Sequence, residues 1–373
     1  NGKPDTYVIT GDIDAMWLRD SSAQVWPYVP LCSVDKNLSN LVAGVINRQV
    51  RCILFDPYAN AFYKNADKES EWKNDVTAMK PGIHERKWEI DSLCYPIRLA
   101  YGYYTQTKDQ TVLDTQWISA MERVITTFRE QQRKHDNGPY SFMRRTEWAT
   151  DGVPLAGYGY PAKANGMIFS MFRPSDDATI FPLFVPANFF AAESLKQMAE
   201  LLRVVGRNEI ANSAIVLRKE ILQGINESAI IKHAEFGDIY AYEVNGLGSC
   251  NLMDDANVPS LLSLAYLVPD MAKDPIYQNT RRFVLSSSNP FYFKGKAGEG
   301  IGGPHAGINN IWPLSIAMRG ITASDPAEIK KCLATLQKTH GGTGFMHESF
   351  HKDDATKYTR AGFAWANTLF GEF

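Results

Sequence analysis

Apolar positions along this chain recur at helical spacing far more often than they alternate. In residues 37–56, Leu41, Val45, Ile46 and Val50 mark one face of a helix, and the same pattern continues through most of the sequence. Eleven helices are predicted, over 20–32, 37–56, 90–107, 110–134, 184–206, 207–227, 256–268, 274–287, 309–322, 326–340 and 361–373. Alternating, β-rich stretches are few and short, over 6–10, 139–143 and 237–244. The connections alternate in length. That at 205–207 is tight, whereas 55–90, 135–175, 235–257, 286–308 and 340–357 are long, and long loops between packed helices are where binding usually resides. Helices paired by alternating short and long links are expected to close into a ring of helical hairpins. The expected fold is therefore all-α, an (α/α)6 barrel with a few short strands in its loops, forming one domain over 1–373.

Composition narrows the picture. The 373 residues carry a formal net charge of −2, so no basic excess points to nucleic acid or an anionic membrane. No apolar run approaches the roughly 18 residues that span a bilayer. The five cysteines, at 32, 52, 94, 250 and 332, are odd in number and lack CxxC spacing, which favours buried free thiols over disulfides or zinc. Asn37-Leu38-Ser39 and Asn226-Glu227-Ser228 match the glycosylation sequon, a pattern short enough to arise by chance. The chain opens on "NGKPDTYVITGD" and closes on "TLFGEF", and both ends read as trimmed.

The candidate chemistry lies in five clusters. "TGDIDAMWLRDSS" (10–22) crowds Asp12, Asp14, Trp17, Arg19 and Asp20 together, and Arg is a planar fork suited to carboxylates or paired hydroxyls. "HERKWEIDSLCYP" (84–96) sets Arg86, Trp88 and Asp91 among further charges, where a salt-bridged helix start is an equal reading. "FRPSDDATIF" (172–181) places Asp176 and Asp177 behind Arg173 and Pro174, and "MDDANVPS" (253–260) echoes it, including Asn257. Helix capping would explain either doublet. "GIGGPHAGINNIW" (300–312) is a glycine-rich loop with His305 at its tip and no phosphate-binding pattern. "GGTGFMHESFHKDD" (341–354) carries His347, Glu348 and His351. The segment H-E-S-F-H formally fits a zinc-protease pattern, but that pattern needs a regular helix, and the flanking glycines and charges argue for a loop; no metal or other cofactor is expected. Carboxylates beside aromatics, Arg and His in long loops are the equipment of glycoside hydrolysis, in which one carboxyl donates a proton and another handles water or the sugar. On the residues alone, a non-catalytic carbohydrate-binding protein stays open.

The blocks "TGDIDAMWLRDSSAQV", "INRQVRCILFDPYANAF", "ERKWEIDSLCYP", "FRPSDDA", "MDDANVPSLLS" and "GTGFMHESFH", in order across nearly the whole chain, resemble glycoside hydrolase family 125, the exo-acting α-1,6-mannosidases of bacteria and fungi. The resemblance implies an (α/α)6 catalytic barrel, inversion at the anomeric carbon and no metal. It implies Asp176 as general acid and Glu348 as general base, with Asp177 the rival acid. A mannose-containing oligosaccharide would be the partner, with Asp12, Arg19 and Asp20 gripping its hydroxyls and Arg86, Asp91, Asn257 and His305 as further contacts. Trp17 or Trp88 would stack on a ring face, and His347 would bond the sugar or orient the base. Phe172 and Phe181 would dry the surroundings of Asp176 and keep it protonated, unless Arg173 touched it. The resemblance also implies a further helical stretch at the N-terminus, which is expected to be absent from these residues. A bacterial cytoplasmic or periplasmic setting is expected, or secretion in a fungus. Another inverting glycosidase on the same kind of ring is the alternative, and the oligomeric state is open.

Overall fold

The structure is a computed structural model that describes residues 2–373. Among these residues eleven α-helices follow one another: α1 (Leu18–Val25), α2 (Lys36–Phe55), α3 (Ile90–Thr107), α4 (Thr115–Gln131), α5 (Val185–Val204), α6 (Asn208–Ser228), α7 (Leu264–Leu267), α8 (Pro275–Val284), α9 (Pro313–Ile321), α10 (Pro326–Leu336) and α11 (Ala364–Glu372).

The odd- and even-numbered helices differ in how they are built. In α5, 16 of 20 residues are buried, so it is covered on all sides. Its partner α6 buries only Ala211, Ala214, Leu217, Ile221, Gly224 and Ile225, a single stripe at helical spacing. Contacts run from α1 to α3, from α3 to α5, from α5 to α7, from α9 to α11 and from α11 back to α1. The odd helices thus form an inner ring. The even helices stand outside it, with α2 against α4 and α4 against α6. Four of the five outer helices begin on an aspartate, Asp35, Asp114, Asp274 and Asp325, whose carboxylate accepts from free N–H groups of the first turn. The long inner helices begin instead on Trp17, Glu89, Phe184, Trp312 and Phe363, none of which caps with its side chain. Three small antiparallel sheets lead into them. Met16–Trp17 pairs with Ala61–Phe62 before α1, Leu183–Phe184 with Glu243–Val244 before α5, and Asn310–Ile311 with Ser349–His351 before α9. One apolar core runs from Met16 to Leu369.

Several expectations are corrected. The helix predicted over 20–32 stops at Val25 and continues as a 3-10 turn over Trp26–Ser33, because Pro27 and Pro30 have no N–H to donate. The helix predicted over 256–268 shrinks to Leu264–Leu267, since the Asp254 carboxylate takes the N–H groups of Leu261 and Leu262. Residues 6–10 and 139–143 are not strands; the first packs on α2 and the second makes a single bridge from Met143 to Val76. The segment expected to be a loop at 347–351 contains a strand, Ser349–His351, which forms a hairpin with Asp354–Thr359. Cys32, Cys52, Cys94 and Cys332 are buried free thiols, whereas Cys250 is half-buried. No helix among the described residues is long and apolar enough to cross a membrane.

Candidate active site

The odd helices start at one end of the ring, and the residues just before those starts converge there. They line a small inner hollow of about 50 Å³. Arg19 and Asp20 come from the start of α1, Pro174, Ser175 and Asp176 from the loop before α5, and Asn257 from the approach to α7. His305 and Trp312 precede α9, while Glu348, Arg360, Phe363 and Trp365 arrive with α11. A second, outer hollow of about 500 Å³ shares Ile13, Trp17, Asp176, His305 and Arg360 with the first and adds Trp72, Lys87, Arg144, Trp148 and Asp177. Asp176 therefore stands where the two hollows meet. Glu348 lines only the inner one and Asp177 only the outer one.

Arg19 organises the acids. Its Nη1 donates to Glu89 Oε2 at 2.6 Å and to Asp91 Oδ2 at 3.1 Å, its Nη2 donates to Asp176 Oδ1 at 3.0 Å, and its Nε lies 3.5 Å from Asp20 Oδ2. Asn60 Nδ2 adds weaker bonds of 3.4 Å to both Glu89 Oε1 and Asp176 Oδ1. Asp176 has φ +65°, a left-handed conformation that costs a non-glycine residue energy and must be held by its surroundings. Its amide donates to the Arg173 carbonyl, and its own carbonyl accepts from Lys87 Nζ at 2.8 Å.

Burial raises a carboxyl's proton affinity, and here it acts on two neighbours with different results. Burial lifts Glu89 well above the usual carboxylate range, and the charges of Asp176 and Asp91 add to this against the pull of Arg19. At Asp176 burial is outweighed by Arg19, by a hydrogen bond with Glu89, and by Lys87 and His305, so its carboxyl is held well below that range. Asp91 is pushed up to about 6 by burial. Against the expectation that dry surroundings keep Asp176 protonated, Arg19 favours its ionised form, while burial favours the neutral form of Glu89. The cation responsible is Arg19, not Arg173, whose Nε donates to Glu243 at 2.7 Å. Phe172 is buried near Asp176, but it packs edge-on against Phe142 at 4.9 Å.

Glu348 is buried and accepts from Arg360 Nη1 at 3.3 Å. The same guanidinium grips Asp12, with Nε to Oδ2 at 2.9 Å. His305 Nδ1 lies 3.4 Å from Asp177 Oδ1. Burial opposes charging that imidazole, but the bond to Asp177 and the charges of Asp177, Asp176 and Glu348 push its pKa up to about 9. Thr10, Trp17 and Trp312 each line the inner hollow and carry a buried hydroxyl or indole N–H without a partner in the protein, the equipment to bind hydroxyl groups.

The remaining predicted residues lie behind this surface. Trp88 is fully buried against Tyr58 and Phe128, so it cannot stack on a sugar. Arg86 is bound to Asp56 and Thr77, away from both hollows. Asp91 acts through Arg19, Asp12 through Arg360, and Arg173 braces the acid loop from below through Glu243. His347 is fully buried, stacked on Tyr358 at 3.7 Å and bonded to the carbonyls of Ala361 and His340, so it faces away from the hollow. Asp254 and Asp255 serve the local backbone, as the capping reading allowed. Arg360, Trp312, Phe363 and Trp365 escaped the sequence reading. Trp312 directly follows the glycine-rich loop and had a signal to follow; Arg360 lies in no acidic or aromatic cluster and had none.

The family profile of "Metal-independent alpha-mannosidase (GH125)" matches residues 1–373. A Schizosaccharomyces pombe relative, "Meiotically up-regulated gene 157 protein", is 41% identical over 386 residues, spanning 99% of this chain and 76% of that protein. A Streptococcus pneumoniae metal-independent α-mannosidase, solved in a non-productive complex with α-1,6-mannobiose, superposes with a TM-score of 0.95 at 40% identity, over 98% of this chain and 86% of that one. A bacterial glucoamylase solved with acarbose shares the fold alone, with a TM-score of 0.59 at 13% identity over 95% of this chain and 48% of its own. With its helical ring and a carboxylate-lined hollow at one end, this chain belongs to the GH125 family of metal-independent α-mannosidases and is a glycoside hydrolase of the (α/α)6-barrel fold.

Proposed function

We propose that the protein removes a single terminal, non-reducing mannose from α-1,6-linked mannosides, with inversion, using Asp176 as general acid and Glu348 as general base. The observation that carries this reading is the placement of the two acids. Asp176 precedes α5 and Glu348 precedes α11, three steps apart in a ring of six inner helices, and both line the inner hollow. Acids approaching from opposite sides leave room for a water molecule, as inversion requires. Asp176 stands at the junction of the hollows, where a bond between a sugar in the inner hollow and a leaving group in the outer one would lie. Glu348 sits with the inner hollow alone, where water would attack C1 from the far face. Trp17, Thr10 and Trp312 supply donors for hydroxyls, and Arg360 orients Glu348. The α-1,6 linkage and a substrate derived from N-linked glycans are suggested by the Streptococcus pneumoniae relative, described as bearing on N-glycan processing.

Proton NMR of α-1,6-mannobiose hydrolysis tests the reading, and the first mannose formed is expected as the β-anomer. Asp176→Ala and Glu348→Ala are each expected to lower kcat by about 10²–10⁴-fold, the scale of general acid–base catalysis. Their melting temperatures should stay near that of the parent. First-formed α-mannose, or full activity in Glu348→Ala, overturns the mechanism.

A further inference from the structure

We propose that Glu89 is a positioning residue that stores the catalytic proton of Asp176 and passes it to Asp176 when a substrate fills the inner hollow. The inference rests on the reading of Asp176 as general acid and explains how an acid in these surroundings can hold a proton when it is needed.

Four carboxyl groups, those of Asp20, Glu89, Asp91 and Asp176, surround the single guanidinium of Arg19. Fully ionised, they would leave three uncompensated negative charges in a largely buried space, which Coulomb repulsion forbids at these distances. Lys87 cannot neutralise them all, because its ammonium bridges Asp151 at 2.5 Å, Glu85 at 3.4 Å and the Asp176 carbonyl at 2.8 Å. His305 faces the cluster from the loop before α9 and is itself drawn to Asp177. At least one carboxyl must therefore be neutral.

Geometry singles out Glu89 as the donor for Asp176. These two share both Arg19 and Asn60 as hydrogen-bond donors, which holds their carboxyl groups side by side. Asp91 and Asp20 share only Arg19 with Asp176. The Glu89 side chain is 0% exposed, whereas that of Asp176 is 26% exposed, its open part facing the hollows. A sugar that displaces water from the hollow therefore desolvates Asp176 and leaves Glu89 almost untouched. Desolvation raises the proton affinity of Asp176 alone and drives the proton across. The steps balance. The Glu89 O–H bond breaks as the Asp176 O–H bond forms, and Asp176 then gives the proton to the glycosidic oxygen as the C1–O bond breaks. Glu348 takes one proton from the attacking water and releases it to solvent, and the Glu89–Asp176 pair regains one from solvent.

Glu89→Gln keeps the shape and removes the store. On α-1,6-mannobiose, kcat is expected to fall about 10²-fold, with KM changed less than about threefold. On 2,4-dinitrophenyl α-mannoside, whose leaving group departs without protonation, the loss should be less than about fivefold. The alkaline limb of the pH profile on mannobiose should move to lower pH, and Glu89→Asp should recover part of the activity. Equal losses on both substrates, or an unmoved pH profile, overturn the proposal, because a merely structural role predicts both. If Glu89→Gln does not fold, infrared spectroscopy of the wild type decides. A carboxylic-acid band near neutral pH that shifts on [13C]Glu labelling supports the store, and a band insensitive to that label overturns it. Failure of the wild type to cleave mannobiose, or undiminished activity in Asp176→Ala, instead defeats the mannosidase reading itself.

Discussion

His305 shows how a single residue in this site is tuned by groups that sequence distance hides. It stands 128 positions from Asp177, yet the two side chains lie 3.4 Å apart, with Asp176 and Glu348 adding negative charge nearby. The imidazolium is favoured up to a pKa of about 9, above the unfolded value of 6.5. A group whose folded pKa is raised stabilises the fold fully below its unfolded pKa and loses that contribution as pH rises through the folded one. The melting-temperature advantage of wild type over His305→Gln is thus expected to be largest near pH 6 and to vanish above about pH 9; an advantage that grows with pH would contradict this. The residue scale is also where the sequence reading was least complete. Arg19, Asp20, Asp176, His305 and Glu348 were each legible as polar residues in aromatic, loop-bound company, and they do line one hollow. Glu89 stood in a highlighted cluster but looked like part of a surface helix start. Its partner Asp176 is 87 residues away, and no local pattern records that pairing.

Among the elements, the split between outer and inner helices follows from how each one starts. Four of the five outer helices start by local chemistry, with Asp side-chain caps, so those starts follow from a few neighbouring residues. Inner helices start from short paired strands and aromatic residues, and their ends are set by neighbours elsewhere in the ring. This explains why residues 256–268 looked helical and yet yielded only α7: apolar periodicity was present, but Asp254 and the Ser260–Ser263 pair took the backbone N–H groups first. The junction of α3 with the 3-10 turn over Trp26–Ser33 gives a direct test of packing at this scale. A methyl group on Gly102 would lie 2.6 Å from the Trp26 ring, which the Arg98 guanidinium already covers 3.7 Å from the ring centroid. Gly102→Ala is expected to destabilise the protein by about 1–3 kcal/mol through overpacking, read as a lower urea midpoint. Specific activity at low temperature should be retained, because this contact is remote from the hollow; an unchanged midpoint would show that the ring can shift freely.

In the whole molecule, function depends on the ring bringing six helix starts to one end. The inner hollow, about 50 Å³, is far smaller than the outer one, about 500 Å³. This asymmetry suits one sugar inside and a longer leaving group outside. An α-1,6-mannotriose is expected to lose mannose one unit at a time, whereas a bulky substituent on the non-reducing mannose should block hydrolysis and one on the reducing end should be tolerated. Chromatography of the time course checks this, and mannobiose released intact from an end-blocked trisaccharide would refute it. The amino-acid order by itself determined the helical periodicity, most of the capping, and the ordered blocks that mark the family, because each depends on residues within a turn or two of one another. Only the tertiary structure decided that Trp88, Arg86 and His347 are buried supports, that Arg360 holds Glu348, and that Asp176 and Glu89 meet on one guanidinium, that of Arg19. Those outcomes depend on desolvation and Coulomb interaction between groups that meet only when the ring closes.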